Sequence, residues 1–226
     1  MKIINPTKSI IVFDLDDTLY SEHEYKLSGI RSVIRLISDL YSSWTIEELE
    51  NAVKKDEHNW LDALCQYCYF NDSEKNTLLW QYRLHQPNIH PYISSHDFSE
   101  LITDFIATAL ITDGRSITQR LKLQSLGIHN LFDDVLISEA YRSEKPCAER
   151  FEYIENKYSR ENSKFIYIGD NIKKDFITPK LMGWLTIGLE ASENNIHIND
   201  PNDFTSEYHP HFWIKSLDKL SDFIIK

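Results

Sequence analysis

Short runs of β-branched and aromatic residues recur along the chain at 9–14 (SIIVFD), 108–112 (TALIT), 134–138 (DVLIS), 164–168 (KFIYI) and 184–188 (WLTIG). Apolar residues at consecutive positions, rather than alternating ones, suit strands buried on both faces, as in a parallel sheet. Between these runs the apolar spacing changes to the helical period at 97–106, at 117–126, closed by Gly127, and at 146–159, opened by Pro146. Strand alternating with helix predicts right-handed crossovers and an α/β fold whose parallel sheet carries helices on both faces. The closing stretch FWIKSLDKLSDFII predicts a last short strand followed by a helix capped by Ser216.

Residues 21–86 break this rhythm. Leu27, Ile30, Ile34, Ile37 and Tyr41 recur at three- and four-residue spacing, one apolar stripe along a long helix. Thr45 with Glu48 forms a capping-box start for a second helix, and Asp72 is placed to cap a third that Pro87 stops. The pattern predicts an all-helical insertion at 20–87 between the first strand and the rest of the α/β core, 1–19 and 88–226. Its aromatics, Trp44, Trp60, Tyr67, Tyr69, Phe70, Trp80 and Tyr82, are read as packing.

Composition narrows the function. A chain of 226 residues with 42% hydrophobic content can bury a real core. With 24 basic against 35 acidic residues, the formal charge of −11 argues against nucleic-acid polymers and anionic membranes as partners, but leaves room for a small anion met by local cations. The opening MKIINPTKSI lacks an apolar leader run and no stretch approaches a membrane span, so a soluble cytoplasmic protein is expected. Cys65, Cys68 and Cys147 make no disulfide framework. Cys65 and Cys68 form CxxC, but at helical spacing among apolar residues they read as core, because two further zinc ligands are missing.

In an open parallel sheet, ligands bind beyond the carboxyl ends of the strands. The residues found there are Asp14-Leu15-Asp16-Asp17-Thr18, then Thr112-Asp113-Gly114-Arg115-Ser116, then Ser143-Glu144-Lys145-Pro146, then Gly169-Asp170 with Asp175 beyond. Each alone has a plain explanation as a turn or helix start. Their succession at strand ends is harder to ascribe to turn chemistry. Asp14 and Asp16, two apart, can face one site as nucleophile and proton carrier. Carboxylates this close need a compensating cation, and Asp170 beside them would complete a hard oxygen site suited to Mg²⁺. Lys145 could hold Asp14 ionised. Thr112, with the backbone N–H groups of Asp113 and Gly114, could bind phosphate.

These motifs resemble those of the haloacid dehalogenase superfamily, in the branch with a helical cap inserted after the first motif. The resemblance rests on DxDxT at Asp14, Asp16 and Thr18, Thr112 in ITDG, Lys145 in SEKP, and Asp170 and Asp175 in GDNIKKD. It implies a Rossmann-like three-layer α/β/α core plus a small α-helical cap that closes over the site and selects small substrates. It further implies a Mg²⁺-dependent phosphatase acting on a small phosphorylated metabolite, a sugar phosphate or nucleoside monophosphate, through an aspartyl-phosphate. A sugar phosphomutase using the same intermediate is the alternative. Asp14 would attack phosphorus; Asp16 would protonate the leaving alcohol and then deprotonate water, and so needs surroundings that raise its pKa. The Asp14 carboxylate, the Asp16 backbone carbonyl and the Asp170 carboxylate would hold Mg²⁺, with Thr18 and Asp175 in support, and Thr112 and Lys145 would hold the phosphoryl group. Asp16 also sets the chain apart from the dehalogenases, which lack this second aspartate. A monomer or weak homodimer is expected.

Four further expectations concern details. Asp113 adds a negative charge near the phosphate, and Arg115 is placed to compensate it. Pro179 predicts a kink or restart in its helix. The stretch 190–210, rich in Asn, Asp and Ser, reads as a surface loop with His197 and His209 solvated. Glu22, His23, Tyr25, Lys26 and Arg31 follow the nucleophile loop and are read mainly as solvated helix residues.

Overall fold

Ser9–Phe13 forms the first strand, β1, and all five of its residues are buried, as expected of a strand covered on both faces. The computed structural model describes residues 2–192, 195–196 and 199–225. The remaining strands are β2 (Ala107–Thr112), β3 (Asp134–Ile137), β4 (Lys164–Gly169), β5 (Leu185–Leu189) and β6 (Phe212–Ile214). They form one sheet in the order β3-β2-β1-β4-β5-β6, with every neighbouring pair parallel. The five strands expected from the apolar runs are present.

Successive side chains of β1 point to opposite faces, and each face has its own cover. Ile10 and Val12 lie in a cluster with Phe151, Ile154, Tyr167, Phe176 and Trp184. Phe13 instead packs edge-on against Phe98 and Phe132, with ring centroids 5.2 and 6.5 Å away. Phe151 is completely buried and meets the rings of Tyr167 and Trp184, so its loss to alanine costs about 3–5 kcal/mol.

The first four helices are α1 (Glu22–Leu40), α2 (Ile46–Lys54), α3 (Trp60–Cys68) and α4 (Asp72–Leu84). The others are α5 (Ser95–Ile102), α6 (Ser116–Ser125), α7 (Ser138–Tyr141), α8 (Glu149–Tyr158) and α9 (Ile177–Leu181). The chain divides into two compact units, Met1–His23 with Ile89–Lys226, and Glu24–Asn88.

The helical unit has its own core, in which Ile30, Val33, Ile34 and Ile37 of α1 meet Leu49, Val53, Leu61 and Leu64. Thr45 and Glu48 form the expected capping box. For α4 the cap is Asn71, not Asp72: its side chain accepts from Ser73 and Glu74 N–H, and Glu74 reaches back to the Asn71 N–H. Gly29 has a packing reason, since a Cβ there would lie 2.4 Å from the Tyr82 ring. Cys65 and Cys68 are buried free thiols, and burial pushes the Cys68 thiol up to about 11. Two aromatics depart from the packing expectation: Tyr69, a left-handed helix end at φ 57°, is 92% exposed, and Trp80 is 52% exposed.

Three other local expectations change. Pro146 does not open α8, because it lies in a turn closed by Cys147 N–H to Glu144 O, and the helix starts at Glu149. Pro179 causes no kink, because α9 is only five residues long and Pro179 falls in its first turn, where a missing N–H costs little. The Ser216 side chain caps no backbone N–H; its hydroxyl bonds Asp218, and the segment Leu217–Asp222 is a 3₁₀ helix. In the stretch 190–210, Phe204 and Tyr208 pack against the main cluster, while His197 lies outside the described residues. His209 is half-buried, with Nε2 3.1 Å from Phe204 O. Among the described residues, no helix is long and apolar enough to cross a membrane.

Candidate active site

The strand order reverses at β1, where β2 lies on one side and β4 on the other, and such a switch point leaves a crevice beyond the strand ends. Phe13 pairs with Leu110 of β2 and Ile168 of β4, so Asp14, Thr112 and Asp170 leave the sheet within two residues of one level. Asp14 remains tied to the ladder through its N–H, 2.8 Å from Ile168 O. A cavity of about 270 Å³ opens here, with Asp14, Asp16, Thr112, Asp113, Gly114 and Asp170 in its wall.

Below Asp14 lies a buried charge relay. Lys145 Nζ is 2.7 Å from Asp14 Oδ1 and 2.6 Å from Asp175 Oδ1, and its side chain has no exposed surface. Tyr167 Oη, 3.1 Å away, completes a set of three partners for the three ammonium hydrogens. Lys145 thus contacts the carboxylates, and among the described residues the cation in the cavity wall is Lys174. Burial raises the Asp14 carboxyl, Lys145 pulls it down and Asp175 pushes it up, leaving it at about 6.

Asp175 accepts from Lys145 and Tyr167 on one oxygen and from the backbone N–H groups of Asp170 and Asn171 on the other. It therefore ties the loop after β4 to Lys145. Gly169 makes this approach possible, because a Cβ there would lie 2.6 Å from Asp175 Oδ2. Asp170 accepts from Thr18 Oγ1 at 3.1 Å. Its carboxyl is pushed well up by burial and by Asp175, Asp14 and Asp17, with Lys145 opposing. Oxygens of Asp14, Asp170 and Asp175 lie within 4.8 Å of one another. Lys145 offsets only part of the negative charge of these three carboxylates, and the all-oxygen donor set fits a hard divalent cation.

Asp16 stands in a different setting from the one expected. Its Oδ1 is 2.6 Å from Lys122 Nζ and accepts the Tyr20 hydroxyl, while Oδ2 lies 2.8 Å from Gln119 Nε2. Burial alone would raise its pKa, but Lys122 and the hydrogen bonds from Lys122, Tyr20 and Gln119 outweigh it and hold the carboxyl below its usual value. The expectation of raised, protonated surroundings for Asp16 is corrected on this point: a buried lysine favours the ionised form. Asp17 turns the loop with φ 54°, and its carboxylate accepts the N–H groups of Glu22 and Ile196. Glu22 also reaches the wall, where burial and the charge of Asp16 push its carboxyl up to about 7 despite Lys122.

The loop after β2 is held from several sides. Asp113 is matched not by Arg115, which is exposed, but by Arg150 at 2.5 Å and Lys174 at 3.3 Å, and it accepts the Lys145 backbone N–H. Burial opposes its ionisation, yet Lys145, Lys174 and Arg150 together hold its carboxyl below the usual range. Arg150 is completely buried and donates to the carbonyls of Thr112 and Leu136 as well. The Gly114 N–H, expected to face phosphate, instead donates to Ser138 Oγ at 2.9 Å. Thr112 Oγ1 accepts from Gln119 Nε2 at 2.7 Å.

The structure thus brings together all nine residues singled out in the sequence, six in the cavity wall and Lys145, Asp175 and Thr18 in contact with them. Gln119, Lys122, Arg150 and Lys174 were not foreseen. Lys174 had a signal, sitting between Asp170 and Asp175 in GDNIKKD; the other three read as ordinary helix positions.

The model of the family described as haloacid dehalogenase-like hydrolase matches residues 11–189. A glyceraldehyde 3-phosphate phosphatase from Methanocaldococcus jannaschii is 28% identical over 229 residues, covering 95% of this chain and 96% of the relative. A pyrimidine 5'-nucleotidase from Escherichia coli is 22% identical, covering 96% and 97% of the two chains. Among solved structures, YfnB from Bacillus subtilis, with magnesium bound, superposes with a TM-score of 0.66 at 21% identity, covering 95% of this chain and 97% of that one.

Proposed function

The chain belongs to the haloacid dehalogenase-like hydrolases, and on that premise we propose that it is a Mg²⁺-dependent phosphatase of a small phosphomonoester. The observation carrying the proposal is the division of two carboxylates at one cavity: Asp14 on the buried Lys145, and Asp16 on Lys122 and Gln119. Two differently held carboxylates can take the two roles of phosphoryl transfer, attack and proton movement. Relatives acting on glyceraldehyde 3-phosphate and on pyrimidine 5'-nucleotides support the substrate class.

Asp14 Oδ2 attacks phosphorus while Lys145 keeps Oδ1 ionised and fixed. The ester bond to the alcohol breaks, the aspartyl-phosphate forms, and the leaving oxygen takes its proton from Asp16. A phosphomonoester entering the cavity adds negative charge beside Asp16 and raises its affinity for that proton. In the second half Asp16 accepts a proton from water as the water attacks phosphorus, which releases inorganic phosphate and frees Asp14. Lys122 and the hydrogen bonds to Asp16 favour its ionised form, which is the form that accepts. The Asp14 and Asp170 carboxylates with the Asp16 backbone carbonyl would hold Mg²⁺, which when bound neutralises charge on the phosphoryl oxygens. Thr112 and Lys174 supply a hydroxyl and a cation in the wall for the same oxygens. The helical unit, Glu24–Asn88, is assigned the selecting role of the family's cap.

The test is phosphate release from sugar phosphates, nucleoside monophosphates and phosphorylated acids, with Mg²⁺ and with EDTA. One phosphate per substrate consumed, in the Mg²⁺ arm only, is the expected result. Turnover of a sugar phosphate to its isomer without phosphate release would establish the mutase instead.

A further inference from the structure

α6 starts at the phosphate loop and returns two polar side chains to the site. Gln119 and Lys122 are three residues apart, on one face of the helix, and both are buried, at 1% and 3% exposure. The Gln119 amide nitrogen reaches Asp16 Oδ2 at 2.8 Å, Thr112 Oγ1 at 2.7 Å and the Asp113 carbonyl at 3.1 Å. Lys122 Nζ lies 2.6 Å from Asp16 Oδ1 and 5.8 Å from the centre of the Tyr20 ring. The Asp16 carboxylate is therefore clamped on both oxygens, by residues 103 and 106 positions away in the chain.

Stability is a poor reason for this arrangement. A buried ion pair recovers little more than its dehydration cost, and well-packed apolar residues of similar size often serve the fold as well or better. What the clamp does supply is one rotamer for a carboxylate on a loop that turns through a left-handed aspartate, Asp17. Gln119 also joins that carboxylate to the hydroxyl of Thr112 through a single nitrogen.

We propose that Gln119 and Lys122 are the positioning residues of proton transfer, holding Asp16 in register with a phosphoryl group bound at Thr112. The inference rests on the phosphatase reading above and assigns these two side chains a role within it.

The test compares two leaving groups. p-Nitrophenolate departs without a proton, whereas a sugar alkoxide requires one, so a misplaced Asp16 matters only for the sugar. The quantity read is kcat/KM, which covers the steps up to departure of the alcohol, for Lys122→Met and Gln119→Leu with Mg²⁺. The substrates are p-nitrophenyl phosphate and the sugar phosphate that the wild type hydrolyses fastest. Each variant is expected to lose about 100-fold on the sugar phosphate, the scale of general acid catalysis, and less than about 5-fold on p-nitrophenyl phosphate. Equal losses on both substrates, or no loss on either, overturn the inference while leaving the phosphatase reading standing. Thermal melting accompanies the kinetics: if neither variant folds, the pair is a structural requirement and the inference falls. A wild-type chain that releases phosphate from none of the sugar phosphates, nucleoside monophosphates, phosphorylated acids or p-nitrophenyl phosphate overturns the phosphatase reading and the inference with it.

Discussion

Lys145 and Asp14 form a buried ion pair, Nζ to Oδ1 at 2.7 Å, with the lysine side chain fully enclosed. The pair makes Asp14→Asn a clean test of the nucleophile, because the amide keeps the shape and leaves Asp175 to hold the lysine. Turnover is expected to vanish while the far-UV circular dichroism and the cooperative melt persist. Lys145→Met should be worse for the fold, since Asp14 and Asp175 would remain buried without a counter-charge. The expected loss is about 3–5 kcal/mol in urea unfolding; unchanged stability would contradict the geometry.

Mg²⁺ binding should release protons. Asp170 is held well above the usual carboxylate range and Asp14 at about 6, so part of this site carries protons near neutrality and must lose them to a cation. Calorimetric titration at pH 6.5 in buffers of different ionisation enthalpy reads the proton count directly. Asp170→Asn is expected to weaken Mg²⁺ binding at least about 10-fold, the scale that loss of even an outer-shell partner of a metal ligand reaches. Buffer-independent heats together with unchanged affinity would remove the metal from the proposal.

Asp113 gives stability with a definite pH sign. Its folded pKa lies below the unfolded value because Lys145, Lys174 and Arg150 outweigh burial. The stabilisation is therefore complete above about pH 4, the unfolded value, and fades as pH falls through the folded value. Asp113→Asn leaves the buried Arg150 guanidinium without its carboxylate and should cost about 3 kcal/mol at pH 7. The difference in melting temperature between wild type and variant should shrink below pH 4. A gap that is constant from pH 7 to pH 3 would show that the charge is not its source.

Glu22 has the opposite sign. Burial and Asp16 raise its carboxyl to about 7, so the folded chain binds this proton more tightly than the unfolded one. Stability is fully present below about pH 4.5 and lost as pH rises toward 7, a penalty on the order of 1–3 kcal/mol by pH 8. Glu22→Gln should therefore melt higher than wild type at pH 8 and close to it at pH 4.5, both in EDTA. Equal melting temperatures at pH 8 would mean that Glu22 stays ionised without cost.

Local sequence was enough to place the strands and the helical insertion. Ile10, Ile11, Val12 and Phe13 are apolar on consecutive positions, which only a doubly covered strand requires, and the 3.6-residue spacing of Ile30, Ile34 and Ile37 declares a helix. Asp14, Thr112, Lys145 and Asp170 were legible for the same reason, since each follows a strand or its connection at a predictable sheet edge. Capping details such as Asn71 in place of Asp72, and the start of α8 at Glu149, slipped because neighbouring polar residues compete for one role within a single turn.

What each carboxylate experiences was settled only by tertiary structure. Asp16 meets Lys122 across 106 positions and Asp113 meets Arg150 across 37, so neither pairing leaves a trace in local spacing. The expected partner of Asp113, Arg115, was its neighbour in sequence but is exposed, whereas Arg150 arrives from α8 because that helix packs beneath the sheet. Periodicity reports which way a residue faces within its own element. Proton affinity and charge balance are sums over all groups that the strand order and helix packing bring within a few ångströms, and those sums exist only once the chain has folded.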